Sequence, residues 1–114
     1  GHLVWESLLA AEELEKEGIS CEIINIHTIK PLDEEIILKS VEKTGKIVTA
    51  EEHNYLGGLG ESVAGMLARK RPTPQEFVAV NDTFGESGTP AELMHKYKID
   101  SIAVQEAVKR ILAR

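Results

Sequence analysis

At 114 residues and 42% apolar content, the chain is the size of one domain with one packed core, which excludes two independent domains. Nineteen acidic against thirteen basic residues give a net charge of -6, and the lysines and arginines are scattered, so no basic stripe invites nucleic acid. No run approaches the roughly 20 apolar residues needed to span a bilayer, and the amino end lacks a secretory-signal pattern, so a soluble, cytoplasmic protein without membrane contacts is expected.

From Leu3 to Glu17, Val4, Leu8, Ala11 and Leu14 recur at helical spacing while Glu6, Glu12, Glu13, Glu15 and Lys16 fall on other faces, which predicts an amphipathic helix. Gly18 follows its last turn, where a residue free to take positive φ closes a helix. Cys21 to His27 reads as a strand, because Ile23, Ile24 and Ile26 make a nearly continuous β-branched run of the kind buried on both faces of a parallel sheet. Cys21, the one cysteine, has no partner for an intramolecular disulfide and reads as a small core residue in a reducing compartment. Pro31 stops the ladder, and Asp33 is placed to cap a second helix, with Leu32 and Ile37 at the staple positions around it and Glu34 and Glu35 at its positive end. Ile36, Ile37, Leu38 and Val41 supply the buried face of that helix, and Gly45 follows it.

Lys46 to Ala50 is the next short strand. A polar turn and a glycine cluster, Glu51 to Gly60, lead into a helix ending near Lys70 whose core face carries Val63, Met66 and Leu67. Pro72 and Pro74 precede a strand over Glu76 to Val80, and Asp82 to Gly88 is a loop. Thr89-Pro90-Ala91-Glu92 is a strong helix start, with Thr89 as cap, Pro90 in the first helical position and Glu92 completing a capping box. A short helix to about Tyr97 is expected, then a final one opened by Ile99-Asp100 with Ile102, Val104, Ala107, Val108, Ile111 and Leu112 on its apolar side. Helices alternating with strands predict an α/β class fold, a three-layer α/β/α sandwich with a mainly parallel sheet. Such a domain ordinarily feeds its first helix from a strand, and Gly1 reads as the turn after one, so an amino-terminal truncation that removes a strand or strands is expected.

Several residues suggest chemistry, and each has a plainer reading. Gly58 and Gly60 match only the first two glycines of the dinucleotide fingerprint, and Glu61 places a negative charge where a pyrophosphate needs donors. A tight strand-to-helix turn packed against another domain is the better account. Glu51, Glu52 and His53 have donor atoms suited to metal or acid-base work, but alternation along a strand puts Glu51 and His53 on one side and Glu52 on the other, too few for a metal site. His27 ends a strand, where ligands are often bound, yet it is alone. Trp5 is expected to pack against whatever precedes residue 1. No nucleophile elbow, Walker loop or spaced cysteine set is present.

The runs Asn25-Ile26-His27-Thr28-Ile29-Lys30-Pro31-Leu32-Asp33, Ile47-Val48-Thr49-Ala50-Glu51-Glu52-His53-Asn54, Gly57-Gly58-Leu59-Gly60-Glu61 and Asn81 to Leu93 together resemble the carboxy-terminal domain of transketolases, over residues 1–114. Deoxyxylulose-phosphate synthases and 2-oxo-acid dehydrogenase beta subunits share the domain type, but Phe84-Gly85-Glu86-Ser87-Gly88 looks closest to transketolase. The resemblance implies a parent enzyme of the pentose phosphate pathway, usually a homodimer, that binds thiamine diphosphate and a divalent metal in other domains and moves two-carbon ketol units between sugar phosphates. It also implies a five-stranded mixed sheet of which this chain lacks the first two strands. No catalytic, cofactor-binding or metal-binding residue is assigned here. Thr28, Pro31, Asp33, His53, Asn54, Gly57, Gly58, Gly60, Phe84 and Glu86 are expected instead to meet the remaining domains or subunit. The alternative from another class is a small ligand-binding or regulatory module that uses the strand ends and the glycine turn. An autonomous metal enzyme built around His53 is a third reading.

Overall fold

The computed structural model describes residues 2–24, 32–52, 58–80 and 89–114, and the side chains of all of these except residues 2–4, 52, 80, 93 and 97. Four helices and two strands follow in the order α1 (His2–Lys16), α2 (Glu34–Thr44), β1 (Ile47–Glu52), α3 (Leu59–Lys70), β2 (Gln75–Val80) and α4 (Pro90–Leu112). The strands pair in parallel, with Ile47 opposite Gln75 and Glu52 opposite Val80, and α3 makes the crossover that parallel neighbours need.

Alternation along the strands sorts the core into two layers. On one face Ala10 of α1 and Val104 and Ala107 of α4 pack with Val48, Ala50 and Val78. On the other, Ile37 and Val41 of α2 join Val63, Met66 and Leu67 of α3, with Ile47 against them. The expected α/β/α sandwich is therefore present, with both strands between helices. Helix α4 runs against the direction of β2: Arg110 and Arg114 near its end reach Glu76 near the start of the strand, at 2.9 and 2.8 Å. The Arg110 hydrogen bond is the main cause that holds the Glu76 carboxyl below its ordinary range.

The helix ends follow from local chemistry. Asp33 caps α2 by accepting from the Ile36 amide, and Gly45 closes that helix at φ 74°, a left-handed conformation that strains any residue with a Cβ. Thr89 accepts from the Glu92 amide at 3.1 Å and also bonds the Glu92 carboxylate at 2.9 Å, with Pro90 opening α4.

Three expectations are corrected. The two carboxy-terminal helices are one, the 23-residue α4. Neither glycine nor proline interrupts Tyr97 to Ile102, and Asp100, read as part of a helix start, instead pairs across one turn with Lys96 at 2.7 Å. In α1 the buried stripe is Glu6, Ala10 and Leu14, while Leu8 is exposed; Ile36, Ile102 and Leu112, expected in the core, are also exposed. Residues Cys21 to Ile24 carry no strand assignment, and residues 25–27 of that expected strand lie outside the described set.

Glu6 is 1% exposed and Lys96 8%. The Lys96 ammonium sits 4.0 Å from the Glu6 carboxylate and 2.7 Å from that of Asp100, joining the starts of α1 and α4, and Lys109 joins their ends through Glu17 at 3.0 Å. The two helices therefore run in the same direction. Removing one member of a buried charge set strands the others in low dielectric, at a cost of about 3–5 kcal/mol. Lys96→Met is expected to lower unfolding free energy by about that amount in urea titration, whereas Lys16→Met, at an exposed pair, leaves it unchanged within the error of the titration.

Candidate functional site at the carboxy end of the sheet

Ligands of open parallel sheets gather beyond the carboxyl ends of the strands. In this chain that region is where β1 ends and the glycine turn opens α3. Glu51 is the penultimate residue of β1, and Thr49 and Glu51 share the strand face that carries α3. The Glu51 Oε2 accepts from the Gly60 amide at 2.6 Å. An acidic side chain thus occupies the anion position that the helix dipole and free amides of α3 create.

From β2, the Gln75 amide donates at 3.1 Å both to the Thr49 hydroxyl and to the Gly60 carbonyl. The ring of Phe77 lies over Gly60: a Cβ there would stand 2.6 Å from one ring carbon and 3.2 Å from the Glu51 carboxylate. Close approach explains this glycine, since its neighbours leave no room for a methyl group. Phe77 itself remains 54% exposed, an aromatic face at the rim of the turn. Glu51 Oε1 and Gln75 Oε1 are buried and have no hydrogen-bond partner among the described residues.

Of the residues expected at contacts, the described set contains Asp33, Gly58 and Gly60. Asp33 caps α2 and Gly58 precedes the first turn of α3, and only Gly60 is brought into the network with Glu51. Thr28, Pro31, His53, Asn54, Gly57, Phe84 and Glu86 lie outside the described residues. Sequence reasoning missed Thr49, Gln75 and Phe77, although period-two alternation from Glu51 points to Thr49. Cys21 is partly buried, not a core residue, and burial pushes its thiol up.

The comparisons with known proteins agree with this architecture. The family model for the transketolase C-terminal domain matches residues 1–104. The chain belongs to the transketolase C-terminal domain family. As such a domain it is 43% identical, over its full length, to a 6-deoxy-6-sulfo-D-fructose transketolase subunit of Clostridium sp. (strain MSTE9), of which it covers 35%. It is 39% identical to the transketolase of Mus musculus, covering 18% of that protein, and 40% identical over 95% of its length to a putative transketolase C-terminal section of Methanocaldococcus jannaschii, covering 34% of it. A solved structure described as a split-gene transketolase, an inactive beta4 tetramer, superposes with a TM-score of 0.76 at 44% identity over 95% of this chain and 35% of that one. The transketolase C-terminal domain described here thus spans about a third or less of these relatives.

Thiamine diphosphate and a divalent metal are implied for whole transketolases, and the described residues do not fit either. The amide that a diphosphate would take at α3 is held by a carboxylate, and no group of three or more metal-ligating side chains converges among the described residues. No described helix is long and apolar enough to cross a membrane.

Gly60→Ala is expected to lose about 1–3 kcal/mol of stability through overpacking against the ring. Phe77→Ala in the same background should restore most of it, a coupling that a double-mutant cycle by urea unfolding measures.

Proposed function

We propose that this chain is an accessory and assembly lobe of a cytoplasmic transketolase, an enzyme that transfers two-carbon ketol units between sugar phosphates. The lobe positions chemistry performed by other domains, which bind thiamine diphosphate and its metal. The observation that carries this reading is the Glu51 carboxylate on the Gly60 amide at 2.6 Å: the position at the sheet end suited to a phosphate is satisfied from within the chain, by a group that repels one.

Further support comes from proportion and surface. The family match takes in nearly all of the chain, and the relatives are about three to six times longer. The half-exposed ring of Phe77, beside two acceptors that have no partner among the described residues, suits a contact with another domain, since aromatic rings dominate contact energetics and buried acceptors call for donors. In this reading Asp33 and Gly58, with Thr28, Pro31, His53, Asn54, Gly57, Phe84 and Glu86, face the remaining domains or subunit, and Gly60 acts from beneath by seating Phe77. The parent is a homodimer, as one chain or as split subunits.

Ketol transfer is the test. With thiamine diphosphate, magnesium, a ketose phosphate donor and an aldose phosphate acceptor, the isolated chain is expected to give no turnover, and activity is expected on mixing with a polypeptide that carries the thiamine-binding domains of a split relative. Turnover by the chain alone would overturn the reading.

A further inference from the structure

Helix α4, 23 residues long, has two unlike sides. Val104, Ala107 and Ile111 are buried toward the sheet. On the other side His95, Lys98, Ile99, Ile102, Glu106 and Lys109 are all exposed. At about 100° per residue these six fall in one band roughly 100° wide, with Ile102 near its middle. Ile99 is 52% exposed and Ile102 43%, an apolar pair at the centre of a polar band.

The charges beside that pair are placed symmetrically. Lys98 comes four residues before Ile102 and Glu106 four residues after it, so each lies about 6 Å along the axis from Ile102 and about 40° around it, in opposite senses. Neither enters an ion pair among the described residues, whereas Lys96 is held by Asp100 at 2.7 Å and Lys109 by Glu17 at 3.0 Å. A lysine and a glutamate at equal distances before and after an apolar centre make a pattern that complements itself when reversed. About a two-fold axis through Ile102 and perpendicular to α4, two copies of the helix run antiparallel, and Lys98 of each faces Glu106 of the other. The two Ile102 side chains then meet on the axis, with Ile99 beside them. A parallel pairing sets lysine on lysine and glutamate on glutamate, and repels at both places.

We propose that this face receives a second copy of the chain, α4 against α4 and antiparallel about Ile102, with Lys98–Glu106 pairs on either side of the apolar centre. This inference rests on the assembly reading, in which the parent is a homodimer, and deepens it by naming residues through which copies of this lobe meet. One helix face is smaller than a standard protein interface, so the contact is weak by itself.

Sedimentation equilibrium of the 114-residue chain over a wide range of concentration reads the contact, and a monomer–dimer equilibrium is expected. Lys98→Glu sets carboxylates against each other at both pairs and should raise the dimer Kd by about tenfold or more. Adding Glu106→Lys reverses both pairs and should return Kd to within about threefold of its original value, a rescue that a merely structural effect of either substitution does not give. In a Cys21→Ser background, Ile102→Cys should form a disulfide-linked dimer under mild oxidation, because the symmetry axis brings that position against itself, while Lys98→Cys should not. The proposal is overturned if the chain is monomeric at every concentration, if the double charge reversal fails to restore association, or if both cysteine variants cross-link alike. It is also overturned if Ile102→Asp leaves association as it was but abolishes ketol transfer on mixing with the thiamine-binding polypeptide, which assigns this face to another domain. Where copies do not meet and ketol transfer is still reconstituted, the α4 contact falls and the assembly reading stands.

Discussion

One carboxylate, that of Glu51, ties the sheet to the helix that crosses it. It reaches from the last turn of strand backbone to the Gly60 amide, and the rest of the sheet end is arranged around that bond: Gln75 holds the Gly60 carbonyl from the neighbouring strand, and Phe77 covers the glycine. A charge-assisted bond of this kind is short and directional. It fixes where α3 begins, and α3 carries Val63, Met66 and Leu67 into the core. The same bond decides the electrostatic character of the sheet end, because a negative group already stands where an open α/β fold would hold a phosphate.

The two helical layers are joined to the sheet differently. The layer of α2 and α3 is held by a dense apolar cluster. The layer of α1 and α4 has a smaller cluster of alanines and valines and adds ion pairs along its length, with Glu6, Lys96 and Asp100 at one end and Glu17 and Lys109 at the other. Lys46, at the start of β1, also bonds the Leu112 carbonyl at 3.3 Å. Charged groups thus join the two helices at both ends and accord with their common direction. Between the layers, the sheet of the described residues is the parallel pair β1 and β2.

Much of this was legible in the sequence because it is local. The caps at Asp33, Gly45 and Thr89, the apolar stripe of Val63, Met66 and Leu67, and the strands after Gly45 and Pro74 depend on neighbours a few residues away. What depended on distant neighbours was harder to read. Glu6 looked like a surface residue by its charge, although its i, i+4 spacing to Ala10 and Leu14 places it on the buried stripe; its partner lies on α4, ninety residues away. The break expected near Ile99 came from reading Asp100 as a cap when it is a helix-interior partner of Lys96. Residues Cys21 to Ile24 have strand composition, but a strand assignment needs a ladder partner, which composition does not supply. For the site, the family resemblance named the glycine turn and alternation along β1 points to Thr49, whereas Gln75 and Phe77 are brought there by parallel pairing and could not be read from spacing alone.

The direct measurement of the central claim is the Gly60 amide resonance during titration with inorganic pyrophosphate. If Glu51 holds that amide, the Gly60 resonance does not move with pyrophosphate at neutral pH, while Glu51→Ala displaces it in the absence of any ligand by freeing the amide. A saturable pyrophosphate-dependent shift at Gly60 in the unmodified chain would contradict the account, because the end of the sheet would then be a phosphate site and not a packing surface.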